Sequence, residues 1–163
     1  MSEGAMGDER HPLEYMRLFT DGACKGNPGP GGWAYILKHP ASGKALEGSG
    51  GEAATTNNRM ELLAVIRGLE MLRLPLTVDL FSDSQYVLKG LREWMPRWKR
   101  KGWRTAEGGE VKNQDLWVAL DGLVARHRVN FHWVRGHSGH PENERCDRMA
   151  VAARDVAARG GRH

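Results

Sequence analysis

Along this 163-residue chain the spacing of apolar residues switches between two and about 3.6, and the order of the switches limits the folds open to it. YMRLFTDGAC alternates as a strand that ends at Asp21 and Gly22, and the Gly/Pro-rich turn KGNPGPGG follows. WAYILKH and KALEGSG read as two more strands, with Pro40 to Gly43 turning between them as in a hairpin. After ATTNN, where Thr56 or Asn57 can cap a helix, Leu62, Val65, Ile66, Leu69 and Leu72 recur on one helical face until Pro75. LTVDLFSD is a short strand ending at Asp83. SQYVLKGLREW and the Trp-rich stretch after it are helical, broken or restarted near Pro96. NQDLWVALDGLVARH is an amphipathic helix, VNFHWVRGH a fifth strand, and PENERCDRMAVAARDVAA a closing helix with proline in its first turn. The order βββαβαααβα predicts an α/β fold: a five-stranded mixed sheet, three antiparallel strands first, flanked by helices.

The length suits one domain with a sizeable core. The expected boundaries are a loose leader over residues 1–12, a domain over 13–158 and a frayed tail over 159–163. The N-terminus lacks the ~7–15-residue apolar run of a signal peptide, and no stretch nears the ~18 residues that span a bilayer. A cytoplasmic protein without membrane contact is expected, with a monomer as the default. Cys24 and Cys146 lack CxxC partners, so they read as reduced structural thiols rather than a disulfide or zinc site.

Charge is informative once located. Residues 92–104 hold six basic groups (Arg92, Arg97, Lys99, Arg100, Lys101, Arg104) and one acid (Glu93), a net +5. The whole chain is only +4, so the rest carries −1. A concentrated basic patch on a nearly neutral body is the footprint of polyanion binding.

Four acids stand beside apolar faces. Asp21 and Asp83 each close an apolar strand, where α/β sheets gather ligand-binding groups. Glu61 lies early in the first long helix at the edge of its apolar stripe, and Asp147 sits next to Cys146, Met149 and Ala150 in the closing helix. Singly, each has a bland reading: Asp before Gly forms turns, Glu in a first turn offsets the helix dipole, and Asp147 can pair with an arginine. Together they are costly, because two like charges ~4 Å apart repel by ~4 kcal/mol at an effective dielectric of ~20. Hard carboxylate oxygens suit Mg²⁺ or Mn²⁺, and a pair of such ions ~3.5–4 Å apart serves in-line phosphoryl displacement.

TDGACKGNPGPGGWA (20–34), TTNNRMEL (55–62), SDSQYV (82–87) and WVRGHSGHPENERCDRMA (133–150) resemble, in order and spacing, the bacterial type 1 ribonuclease H pattern over nearly the whole domain. The resemblance implies an endonuclease that cuts the RNA strand of RNA/DNA hybrids with two Mg²⁺ ions, Mn²⁺ substituting, leaving 5′-phosphate and 3′-hydroxyl ends. It implies Asp21, Glu61, Asp83 and Asp147 as catalytic metal ligands, Asp21 bridging both ions. Asp147 would help hold the ion that activates water, and Glu61 and Asp83 the ion on the leaving-group side. His137, on the loop before the last helix, would move protons or help product leave. His140 is better read as structural, and a His137/His140 zinc site lacks thiolates.

WMPRWKRKGWRT resembles the basic protrusion of many bacterial members. Lys99, Arg100 and Lys101 would neutralise phosphates without reading sequence. Trp94 and Trp98, four apart, read first as packing residues, with Trp98 or Trp103 better placed against a sugar. Telling a hybrid from duplex DNA needs a reader of the 2′-hydroxyl in a wide minor groove, and amides offer both donors and an acceptor. By resemblance Asn27, Asn57, Asn58 and Gln85 line that groove. Thr56, Arg59 and the Cys24 backbone are further candidates, and Asn57 and Asn58 can instead cap the helix. Lys25, Ser138 and Pro96 depart from the family pattern, at positions that bear on binding strength more than chemistry.

Three rival readings have weaker support. A non-catalytic binding module does not need clustered acids. A transposase or integrase catalytic domain would more often bring extra DNA-binding domains. A purely structural α/β domain leaves the basic patch unexplained.

Overall fold

Leu18, Leu37, Val78 and Leu80 point to one face of the sheet, where α1 and α4 cover them, and none is more than 2% exposed. Burying each such side chain contributes about 1.5–3 kcal/mol, which makes this layer the main source of stability. The computed structural model describes residues 14–135 and 140–160. The elements are β1 (Tyr15–Cys24), β2 (Gly29–His39), β3 (Lys44–Thr55), α1 (Asn57–Glu70), β4 (Thr77–Ser82), α2 (Gln85–Lys89), a π-helical turn (Gly90–Trp94), α3 (Met95–Arg100), α4 (Gln114–Ala125), β5 (Arg128–Trp133) and α5 (Pro141–Gly160). Their order is the expected one, in one five-stranded sheet ordered β3-β2-β1-β4-β5. β1, β2 and β3 pair antiparallel, and β4 joins β1 and β5 in parallel. The closing helix runs two residues past the expected Ala158.

The second face carries smaller clusters. Phe19, Ile36 and Cys146 pack with Phe81 and Met149, and Ala23 and Ala34 meet Ala150. α5 comes this close because two strands opposite it offer glycine. A Cβ on Gly32 would lie 2.2 Å from the Ala150 carbonyl oxygen, and one on Gly51 2.8 Å from that of Ala153. Read as turn residues, Gly29 to Gly32 instead begin β2, and β3 extends to Thr55.

One expectation is corrected at β1. Asp21 does not end the strand, which continues to Cys24, because β2 goes on pairing with it as far as Cys24 opposite Gly31. The parallel pairing with β4 does stop earlier, at Phe19 opposite Phe81. Asp21 therefore belongs to a strand but lies past the end of its parallel partner. The helical run after Asp83 is interrupted, as expected, and α3 restarts at Met95 with Pro96 in its first turn, where the missing N–H costs nothing.

Candidate active site

Phe19 and Phe81 stack with centroids 5.0 Å apart on the α5 face. Two residues later each strand delivers an aspartate, Asp21 from β1 and Asp83 just after β4. The two-residue period of a strand carries both to one level and one side. Glu61 arrives from α1. The Thr56 hydroxyl caps that helix by accepting from the Arg59 N–H at 3.2 Å, so Glu61 falls in the second turn and is only 6% exposed. Gly22 permits the approach: a Cβ there would lie 2.6 Å from the Glu61 nitrogen and 2.7 Å from the Met60 carbonyl carbon. One carboxylate oxygen from each of Asp21, Glu61 and Asp83 lies within 4.8 Å of the others.

Asp147 completes the group from α5. Its neighbour Cys146 is fully buried and its thiol donates to the Phe19 carbonyl at 3.3 Å, which seats the helix on β1. Asp147 acts on Asp21 through its charge and through a side-chain hydrogen bond. Burial first, then the Asp83 and Asp147 charges, push the Asp21 carboxyl up to about 8, although the Gly22 N–H donates to it at 2.9 Å. Burial, followed by the charges of Asp21 and Asp83, holds Glu61 well above the ordinary carboxylate range. Glu61 Oε1 is buried without a hydrogen-bond partner. A buried carboxylate oxygen with no donor, in a ring of other carboxylates, is what a hard divalent cation satisfies. The donor set fits such an ion.

The remaining expected residues fall into three groups. Asn27 and Asn57 are exposed, Asn58 is half-buried beside Asn57 in the first turn of α1, and Gln85 is exposed at the start of α2, two residues after Asp83. Thr56 is committed as the cap. Arg59 is held by α4: its guanidinium donates to both Asp115 oxygens at 3.0 and 2.8 Å and to Asn113 Oδ1 at 3.2 Å. His137 lies outside the described residues. Both cysteines are free thiols.

The basic stretch stands on aromatic packing. Trp98 touches Trp94, Trp103 and Trp117, with centroids 6.1, 6.4 and 5.5 Å away. Not all of its cations face solvent freely. Lys99 pairs with Asp121 at 3.0 Å, and Arg92 donates to the Phe131 carbonyl at 2.7 Å. Arg100 and Lys101 are exposed and make no ion pair among the described residues. Arg97, Lys101 and Arg104 line, with Trp94, Trp98 and Ala106, a cavity of about 420 Å³.

Sequence reasoning missed Gly22, which looks like turn chemistry, and Asn113, which reads as the first residue of an amphipathic helix and not as a partner of Arg59.

Acids gathered on a mixed sheet, one on β1 past the end of its parallel partner and one just after β4, suit hydrolysis assisted by divalent cations. Residues 14–155 match the RNase H family model. A ribonuclease H of Thiobacillus denitrificans is 61% identical over 137 residues, covering 84% of this chain and 91% of the relative. One of Thermus thermophilus is 60% identical over 140 residues, covering 85% and 83%. Among solved structures, LC9-RNase H1, described as a type 1 RNase H with the type 2 active-site motif, superposes with a TM-score of 0.78 at 32% identity, over 90% of this chain and 74% of that one. LC11-RNase H1, solved in complex with an RNA/DNA hybrid, shares the fold at a TM-score of 0.66 and 22% identity, over 87% of this chain and 98% of that one. The chain belongs to the ribonuclease H family and is a ribonuclease H hydrolase.

Proposed function

We propose that this chain is an endonuclease that hydrolyses the RNA strand of RNA/DNA hybrids, using two Mg²⁺ ions and leaving 5′-phosphate and 3′-hydroxyl ends. The observation that carries this reading is the convergence of Asp21, Glu61 and Asp83, with Asp147 against Asp21. When bound, the cations supply charge that favours an attacking water and stabilises the leaving oxygen. By the family resemblance Asp21 would help hold both ions, Asp147 would help hold the one that activates water, and Glu61 and Asp83 the one on the leaving-group side. Mn²⁺, which takes the same oxygen ligands, is the expected substitute. By the family resemblance His137 would move protons or help product leave.

Asn27, Asn57, Asn58 and Gln85 read the RNA 2′-hydroxyls across the minor groove. Arg100 and Lys101 supply phosphate contacts to the hybrid, supported by Lys99, with Trp98 and Trp103 beside a sugar. Thr56 and Arg59 act on strand binding indirectly, by fixing the start of α1. One chain carries all four carboxylates, so a monomer is sufficient, and the compartment proposed for it is the cytoplasm. Among the described residues no helix is long and apolar enough to cross a membrane.

The test is cleavage of a strand-labelled hybrid, beside RNA and DNA duplexes and single strands, with Mg²⁺ and with chelator. Metal-dependent cutting of the hybrid's RNA strand alone is expected. Binding without cutting would demote the chain to a recognition module, and cutting of duplex DNA would move it to another branch of the fold.

A further inference from the structure

We propose that Tyr86 is a positioning residue for substrate, whose hydroxyl fixes the distance between the start of α1 and the basic protrusion. The inference rests on the hybrid-cleaving reading above.

Tyr86 lies on α2, three residues after Asp83, and packs directly on the protrusion while reaching α1 through Asn113. Its ring packs against Trp94 and Trp117 at 5.7 and 5.4 Å, and Trp117 in turn packs on Trp98. Its hydroxyl oxygen accepts from Trp117 Nε1 and from Asn113 Nδ2, each at 3.0 Å. Two acceptances use both lone pairs of a hydroxyl. Trp117 is fully buried, so no water can take over as acceptor for its indole N–H.

Asn113 carries the link onward. It stands at the N-cap position of α4, yet its side chain makes no capping bond. Asparagine there ordinarily spends its oxygen on the helix's own N–H groups. Here Oδ1 accepts from Arg59 while Nδ2 donates to Tyr86. The residue also holds φ at 60°, in the left-handed region. A strained backbone combined with a diverted cap marks a side chain held for a purpose other than ending its helix. Arg59 lies on α1, one residue after Asn58 and two before Glu61. A continuous path thus runs from the protrusion tryptophans through the Tyr86 oxygen to the helix that presents Asn57 and Asn58.

That path sets a gap. A hybrid must touch the first turn of α1 and the protrusion together, and binding falls when two contact surfaces are held at the wrong spacing. The hydrogen bonds of the path run among Trp117, Tyr86, Asn113 and Arg59, so the hydroxyl governs binding rather than the chemical step.

Tyr86→Phe removes one oxygen and keeps the ring. The expected result with Mg²⁺ is a KM for hybrid raised about tenfold with kcat within about twofold of wild type. Asn113→Gly tolerates the left-handed backbone, removes the same link from its other side, and is expected to raise KM by a similar factor. The double variant should be no worse than either single variant, because all three break one path. Thermal melts confirm that each variant is folded at the assay temperature. A purely structural hydroxyl would lower the melting temperature and leave KM unchanged, and that outcome overturns the proposal. So do single-variant KM effects that multiply in the double variant, or an unchanged KM in Asn113→Gly where Tyr86→Phe does not fold. Failure of the wild-type chain to cut hybrid is a separate result, which sinks the function reading itself.

Discussion

Asp21 and Glu61 are buried acids that crowd a third carboxylate, whereas Arg100 and Lys101 project into solvent from a base of packed tryptophans. The first region is held by strands, by a glycine contact and by a buried thiol, so it cannot relax away from its own repulsion. The second keeps its cations apart in water, where their mutual repulsion is screened. Rigidity is invested where charge must be tolerated at close range. Exposure is left where charge must meet a long, mobile polyanion.

The largest effect that separates the regions is on turnover. Asp21→Asn should lower cleavage on the order of 10³-fold or more while hybrid binding survives, because it removes ligand charge and little volume. Steady-state cleavage beside a filter-binding titration checks this, and normal turnover would refute the cluster's role.

Next comes pH. The Asp21 carboxyl stands at about 8 in the folded protein, against ~3.9 for an ordinary aspartate. The folded state then holds a proton that the unfolded chain has already lost across that window, so metal-free stability should fall as pH rises from about 4 to about 8. Mg²⁺ should offset the fall, and Asp21→Asn should shrink it and raise the metal-free melting temperature at pH 8. Melting temperatures that are flat with pH in chelator would contradict the burial argument.

A third effect tests the rigidity. Gly22→Ala places a methyl against the α1 backbone, which should cost about 1–3 kcal/mol of stability and weaken Mg²⁺ binding roughly tenfold. Calorimetric titration of Mg²⁺ decides it, and unaltered affinity in a folded variant would show that α1 has room to move.

The smallest effect belongs to the protrusion. Replacing Lys99, Arg100 and Lys101 together by alanine should weaken hybrid binding and lower its salt slope by about two rather than three, because Lys99 is already paired with Asp121. Binding measured across a salt series gives the slope. An undiminished slope would remove the patch from the contact surface.

Much of this division is legible in the sequence. Alternation and helical spacing locate β1, α1 and β4, and the charge count locates the protrusion. Trp94 and Trp98 read first as packing residues, and in the structure their rings meet at a tilted angle. What escapes such a reading are residues whose role depends on a neighbour distant in sequence. Gly22 and Gly32 look like turn formers because glycine has poor strand propensity, but their missing side chains admit α1 and α5. Asp21 reads as a strand end because Gly22 follows it, although β2 pairs on past both. Asn113 reads as the first residue of a helix and Arg59 as a strand contact, and only the fold brings them together.

Gly32 reaches further than its own strand. It touches α5 at Ala150 and Arg154, and Asp147 rides on the same helix less than one turn before Ala150. A methyl group added on β2 would lift that helix like a shim under a lever, and the carboxylate would travel with it. Affinity for the catalytic ion can therefore be tuned or lost from a position with no polar side chain, so a survey limited to charged residues would map only part of what builds the site.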